Sequence, residues 1–311
     1  MTIRRGLAWL VVGVTLLIGA CTQVPMRTTD DPVVSWSDIT AQPLPPPGRR
    51  IAYGSDPEQF GELRLPSADG PHPVVVVLHG GCWQSAYDLE HISHVSAALA
   101  RSGLAVWTVE YRRIGHAGGG WTGTFDDVVR GTNHLRVLAE ENALDLDRGV
   151  ALLGHSAGGH LALWLASRRT VPPAEQVEAG SFDVGLALAV RGVVSLAGIT
   201  DLRDYAAGDG SCNASVEPLL GGAFEAVPAR YAAASPIEQV PLGVPARLLH
   251  GRLDSIVPLA QSERFAAQAR AAGDAAVVEV IEGAGHFDLI APFAPAWPSV
   301  EAAVHELFSA P

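Results

Sequence analysis

The sequence predicts an α/β domain built on a mostly parallel sheet of about eight strands, with helices on both faces. Three observations lead there. From about residue 50 to residue 308, short aliphatic runs alternate with stretches of helical periodicity, the pattern of repeated strand and helix units. One run, Pro73 to Leu78, is apolar without interruption, as a strand covered on both sides requires. Residues 150–163 (VALLGHSAGGHLAL) read as an apolar strand, a glycine-flanked serine and an apolar helix. This last stretch is a nucleophile elbow, in which Gly154 and Gly158 lack the Cβ atoms that would collide as the chain reverses around Ser156.

In chain order, residues 1–20 carry Arg4 and Arg5, then an uncharged run from Leu7 to Ala20. That is the charged and apolar plan of a secretion signal, too short to span a bilayer comfortably. Ile18-Gly19-Ala20-Cys21 resembles the bacterial lipobox, which implies lipidation of Cys21 and an extracytoplasmic protein associated with the membrane through that lipid. The alternatives are an ordinary cleaved signal and translation from Met26, which would leave the signal-like run unexplained. Residues 21–49 are polar and then proline-rich (Pro43, Pro45, Pro46, Pro47), and read as a flexible spacer. The folded domain is expected over 50–311.

Within it, Ile51–Tyr53 and Glu62–Leu65 are expected to form an opening antiparallel pair. Strands follow at Pro73–Leu78, Ala105–Glu110, Val150–Leu153, Val193–Leu196, Arg247–Leu249 and Val277–Ile281. Helices are expected at 89–100, 125–143, after the elbow, at 262–272 and at 298–308. Residues 198–240 lack clear periodicity and are rich in Gly, Ala and Ser. They are expected to be a small cap-like excursion after the sixth strand, over the C-terminal edge of the sheet, where open α/β folds bind ligands.

The chain has 311 residues, 48% of them hydrophobic, enough for one large core rather than two. All 21 basic residues are arginine. The absence of lysine excludes Schiff-base chemistry, a Ser-x-x-Lys hydrolase and a Walker-type phosphate loop. A formal charge of −12 argues against a nucleic-acid partner.

An elbow serine needs a base, an orienting acid and an oxyanion hole. In folds of this type the partners follow the nucleophile in the order serine, acid, histidine, each in a loop after a strand. Asp254 lies in the loop after Arg247–Leu249, and His286 in the loop after Val277–Ile281. Each alone reads as an ordinary loop residue, but the ordered set points to a Ser156–His286–Asp254 triad. Asp201, after the preceding strand, is the rival acid. His79-Gly80-Gly81-Cys82-Trp83 follows the strand Pro73–Leu78, where an HGG-type loop supplies the other half of an oxyanion hole. The hole is assigned to the N–H groups of Gly81, Cys82 and Ala157.

These residues, with Glu110-Tyr111-Arg112-Arg113-Ile114-Gly115, Gly118-Gly119-Gly120-Trp121 and Gly285-His286-Phe287-Asp288, together resemble the HGGxW branch of α/β-hydrolases. That branch includes kynurenine formamidase-like proteins and bacterial carboxylesterases of the feruloyl-esterase-like kind. Leu219-Leu220-Gly221-Gly222, Arg230-Tyr231 and Ser235-Pro236 fit the same pattern. The resemblance covers residues 50–308 and implies the α/β-hydrolase fold, a serine triad and an oxyanion hole. It leaves the substrate open among esters, formamides and small amides. The leader, which routes the chain away from cytosolic N-formylkynurenine, favours an ester over a formamide. A hydrolase fold used only for binding is the reading of another class.

No cofactor or metal is expected. His91 and His94, three apart on a helix, read as a solvated face without the carboxylate or cysteine of a metal site. His155 and His160 are expected to pack and hydrogen-bond beside the nucleophile. Glu110 to Arg113 reads as a charged strand end that braces nearby loops. Cys82 invites a thiol-nucleophile reading, but Ser156 already holds the elbow, so its side chain is read as inert. Cys82 and Cys212 could pair outside the cytoplasm, though two cysteines about 130 residues apart give no geometry for a disulfide.

Overall fold

The computed structural model describes residues 33–168, 185–208, 210 and 212–309. The signal-like run and Cys21 lie outside the described residues. Nine strands form the sheet among those described: β1 (Arg49–Ala52), β2 (Phe60–Arg64), β3 (His72–Leu78), β4 (Ala105–Val109), β5 (Leu144–Asp145), β6 (Val150–His155), β7 (Val190–Leu196), β8 (Ala246–Gly251) and β9 (Ala276–Ile281). Their order is β1-β2-β4-β3-β6-β7-β8-β9, with the two-residue β5 beside β3. The pairs β1·β2 and β2·β4 are antiparallel and the rest parallel.

The uninterrupted apolar run of β3 divides between two cores by the alternation of a strand. Val74, Val76 and Leu78 join Trp107, Phe125 and Leu161 on one side. Val75 and Val77 join Val95, Leu99 and Val304 on the other. Ten α-helices are described: α1 (Trp36–Thr40), α2 (Ser93–Arg101), α3 (Gly123–Asn133), α4 (Leu135–Asn142), α5 (Ala157–Ser167), α6 (Leu202–Ala206), α7 (Val216–Leu220), α8 (Pro228–Ala234), α9 (Ala260–Ala271) and α10 (Trp297–Ser309). The first core packs under α3, α5 and α9, the second under α1, α2 and α10. The helix expected over 125–143 is two, joined at His134. There the His134 carbonyl accepts from Val137 N–H at 2.9 Å as well as from Leu138 N–H at 3.2 Å, a tightened turn that interrupts the regular repeat. The excursion between β7 and β8 holds α6, α7 and α8, so it is more helical than its composition indicated.

One expectation is corrected here. Residues 33–47, placed by the sequence in a free spacer, pack onto the domain ahead of β1. Val34 and Ile39 are buried in the second core. Ser35 and Asp38 form a reciprocal capping box that starts α1, with Ser35 N–H on Asp38 Oδ2 at 2.9 Å and Asp38 N–H on Ser35 Oγ at 3.2 Å. Two apolar anchors and a cap suffice to seat a five-residue helix that propensity alone would not sustain.

Candidate active site

The elbow has the conformation its glycines permit. Ser156 follows β6 at φ 56°, ψ −120°, and α5 begins at Ala157. A Cβ on Gly154 would lie 2.0 Å from Gly158 O, and one on Gly158 would lie 2.1 Å from Leu78 O. Neither position can take a side chain, and the positive φ at a serine is held by packing on all sides. Ser156 N–H donates to Leu196 O at 2.8 Å, which pins the turn to β7. Ala157 is the first residue of α5, so its N–H has no acceptor within the helix.

Asp254 and His286 are joined as the sequence predicts, with His286 Nδ1–H donating to Asp254 Oδ2 at 2.7 Å. The other carboxylate oxygen accepts from Ile256 N–H at 2.8 Å and Val257 N–H at 2.9 Å. Burial pushes the Asp254 pKa up, but the bond and charge of His286 and the two amides outweigh it and hold the group below the ordinary carboxylate range. The acid is therefore ionised, and its orientation is fixed by the amides rather than by the histidine alone. The rival Asp201 instead accepts from Asp204 N–H at 2.9 Å and caps α6.

Ser156 and His286 line one cleft of about 120 Å³, together with Gly81, Cys82, Tyr87 and Cys212. Among the described residues no hydrogen bond joins Ser156 Oγ to His286; such bonds are commonly long before substrate binds. The loop that faces them is unusual in its backbone, with three successive positive φ angles: Gly81 at 102°, Cys82 at 54° and Trp83 at 56°. Several contacts hold it. Trp83 O accepts from Ile114 N–H at 2.8 Å, Trp83 Nε1–H donates to His160 Nδ1 at 3.2 Å, and Tyr111 Oη–H donates to His79 O at 2.7 Å.

Cys82 is not an inert thiol. It forms a disulfide with Cys212 of the excursion, at a Cα–Cα distance of 5.1 Å across 130 residues of sequence. Spacing could not foresee this pair, because the crossover from β3 to the excursion is set by the whole sheet. The link lines the cleft at both ends.

Under the loop, Glu110 is buried and fully engaged, bearing out the reading of this strand end as a brace. Its oxygens take His79 Nε2 at 2.8 Å, Tyr111 N–H at 2.9 Å, Leu89 N–H at 2.9 Å and Arg113 Nη1 at 2.7 Å. Burial raises its pKa, yet His79, Arg113 and the Tyr111 amide more than reverse that, leaving it lowered. Arg112 completes the brace with a two-pronged contact to Asp127, Nε to Oδ2 at 2.7 Å and Nη2 to Oδ1 at 2.8 Å.

The histidines around the elbow are buried and neutral. His155 Nε2 faces only the His286 carbonyl, at 3.0 Å, so it carries the proton. His155 Nδ1 then accepts from His91 Nε2–H at 2.9 Å. His91 is thus 6% exposed and tied to the elbow, not on the solvated face that its helical spacing with His94 suggested. Burial drives His155 and His91 well below the ordinary histidine range, and His160 to about 4. The unfolded chain protonates these rings near pH 6.5 and the folded chain does not. Their contribution to stability is complete above that pH and is lost progressively as pH falls from there toward the lowered folded-state values. The thermal midpoint should therefore drop by several degrees between pH 7.5 and 5.0, before the carboxylates titrate. A midpoint that holds steady to pH 5 would contradict the neutral histidines.

Comparison with known proteins agrees with this geometry. The family model described as BD-FAE matches residues 62–269. Esterase LipC of Mycobacterium tuberculosis is 28% identical over 249 residues, 78% of this chain and 60% of that protein. Isoprenylcysteine alpha-carbonyl methylesterase ICME of Arabidopsis thaliana is 27% identical over 250 residues, 78% of this chain and 56% of its own length. The chain thus spans well under two thirds of the length of these relatives. Among solved structures, a truncated carbohydrate esterase from gut microbiota superposes with a TM-score of 0.71 at 20% identity, covering 86% of this chain and 98% of that one. Esterase B of Lactobacillus Rhamnosis does so with a TM-score of 0.71 at 20% identity, covering 84% of each chain. The fold is the α/β-hydrolase fold.

Proposed function

Given that the chain belongs to the BD-FAE family, we propose that it is a serine carboxylesterase acting on small esters. The observation that carries this reading is that His286, bonded to Asp254 behind it, shares a cleft with the elbow serine. In the proposed cycle His286 Nε2 takes the Ser156 proton as Oγ attacks the ester carbonyl. The oxyanion is met by the N–H groups of Ala157, Gly81 and Cys82, each worth about 3 kcal/mol in the transition state. The imidazolium, stabilised by Asp254, returns the proton to the departing alcohol and leaves an acyl-enzyme on Ser156. Water then repeats the sequence and releases the acid.

A formamide would react on the same atoms. The signal-like leader, which would carry the chain away from cytosolic metabolites, favours the ester. The same leader supports a lipid on Cys21 and an extracytoplasmic, membrane-associated enzyme. A disulfide beside the nucleophile agrees with an oxidising compartment.

One labelled preparation tests these readings together. A fluorophosphonate probe should modify Ser156 and no other serine, and the label should sediment with membranes in the wild type but not in Cys21→Ser. Failure to label a folded protein would leave only a binding role for the fold. Turnover of p-nitrophenyl acetate against N-formylkynurenine separates ester from formamide.

A further inference from the structure

The cleft has a wall that belongs to none of its catalytic loops. Trp36, on α1 ahead of the whole sheet, lines it together with Ser156 and His286. The indole stacks on His91 with centroids 5.0 Å apart and planes at 26°, and meets the Phe287 ring at 5.6 Å. The segment that carries it is tied to the histidine loop by one carboxylate. Asp288 Oδ2 accepts Val34 N–H at 3.0 Å and Gly285 N–H at 2.8 Å. Beyond Trp36 is a second hollow of about 270 Å³, lined by Ile39, Thr40, Leu44, Asp88, Glu90 and His94 among others. Trp36, Tyr87 and His91 border both spaces.

We infer that Trp36 is a specificity-determining residue: it partitions the reaction cleft from the outer hollow and limits the length of the alcohol half of the ester. This rests on the esterase reading above. The assignment to the alcohol follows from proton transfer. The leaving oxygen must receive its proton from His286, so the leaving group lies on the imidazole's side of the reacting carbon. Phe287 follows His286 directly, and Trp36 packs on Phe287. The partition does not yield easily, because His91 behind it is anchored through His155 to the His286 carbonyl. Removing the indole joins 120 Å³ to 270 Å³ and gives a long alcohol somewhere to go.

The test compares Trp36→Ala and Trp36→Phe with the wild type on two ester series. In the first the acyl group is acetyl and the alcohol runs from ethyl to octyl. In the second the alcohol is ethyl and the acyl group lengthens to octanoyl. The octyl-to-ethyl ratio of kcat/KM in the alcohol series should rise about 10-fold in Trp36→Ala, on the scale of pocket discrimination by apolar groups. Trp36→Phe should stay near the wild type, and the acyl series should not change. Equal loss on every ester together with a lowered thermal midpoint, an unchanged alcohol series, or a shift confined to the acyl series would each overturn the inference. A second measurement does not depend on turnover. In the Ser156→Ala background, calorimetry with octan-1-ol should show about 10-fold tighter binding when Trp36 is also alanine. Equal affinity would refute the partition even if the protein proved to be no esterase.

Discussion

Asparagine at position 254 should lower kcat/KM for aryl esters by about 10³–10⁴-fold while leaving the thermal midpoint within a few degrees of the wild type. The reason lies in which atoms hold the side chain. Ile256 and Val257 present N–H groups to Asp254 Oδ1, at 2.8 and 2.9 Å. An asparagine keeps its oxygen toward those donors and turns its NH₂ toward His286 Nδ1. That nitrogen must then be an acceptor, so the proton moves to Nε2, where it blocks removal of the serine proton. Steady-state rates with circular dichroism on the same samples check it. A variant that retains more than a tenth of the activity would mean that the orienting acid is elsewhere. Asp201 could not serve, since it is committed to the N-terminus of α6.

The second large effect is on stability. Glu110→Ala should cost about 3–5 kcal/mol, the range for removing one partner of a buried ionic cluster. For a domain of this size that corresponds to a fall in midpoint of roughly 10 °C. The His79 Nε2 and the Leu89 and Tyr111 amides lose their acceptor at once, and the Arg113 guanidinium, which keeps Tyr87 O and Glu58, loses one of its partners. Glu110→Gln, which keeps an oxygen for some of these donors, should fall between alanine and wild type. A cost below about 1 kcal/mol, measured by urea unfolding, would show that the cluster is dispensable. His79 opens the loop proposed to supply oxyanion donors, so the alanine variant should also lose activity at temperatures where it is still folded.

The loops of the proposed site were legible in the sequence because each is a local chemical pattern at a strand end. A glycine either side of Ser156 dictates the turn, and an apolar run before His79, Asp254 or His286 dictates which edge of the sheet the residue reaches. The order of the three then fixes the fold. The brace at Glu110 was legible for the same reason, as charge crowded at the end of a buried strand.

What escaped was set by distance along the chain. Nothing near Trp36 indicates that it will meet His91 and Phe287, since that contact depends on two apolar residues seating a short helix on a core built from residues 75–308. His91 looked solvent-facing because helical spacing locates a residue on its own helix and is silent about the neighbouring strand. The Cys82–Cys212 pair escaped for the same reason. A signal was present for the docked segment: Val34 and Ile39 flanking Ser35 and Asp38 form a capping box with apolar anchors, set ahead of the prolines.

The covalent link at the cleft has a kinetic consequence. Cys82 belongs to the loop after β3 and Cys212 to the excursion between β7 and β8, and both line the cleft. The bond holds the two segments within a few ångströms of each other, so they cannot separate as rigid bodies while it is intact. On the esterase reading, substrates would be sorted by fit to a cleft whose two bonded walls stay together, and reducing the bond should change that sorting.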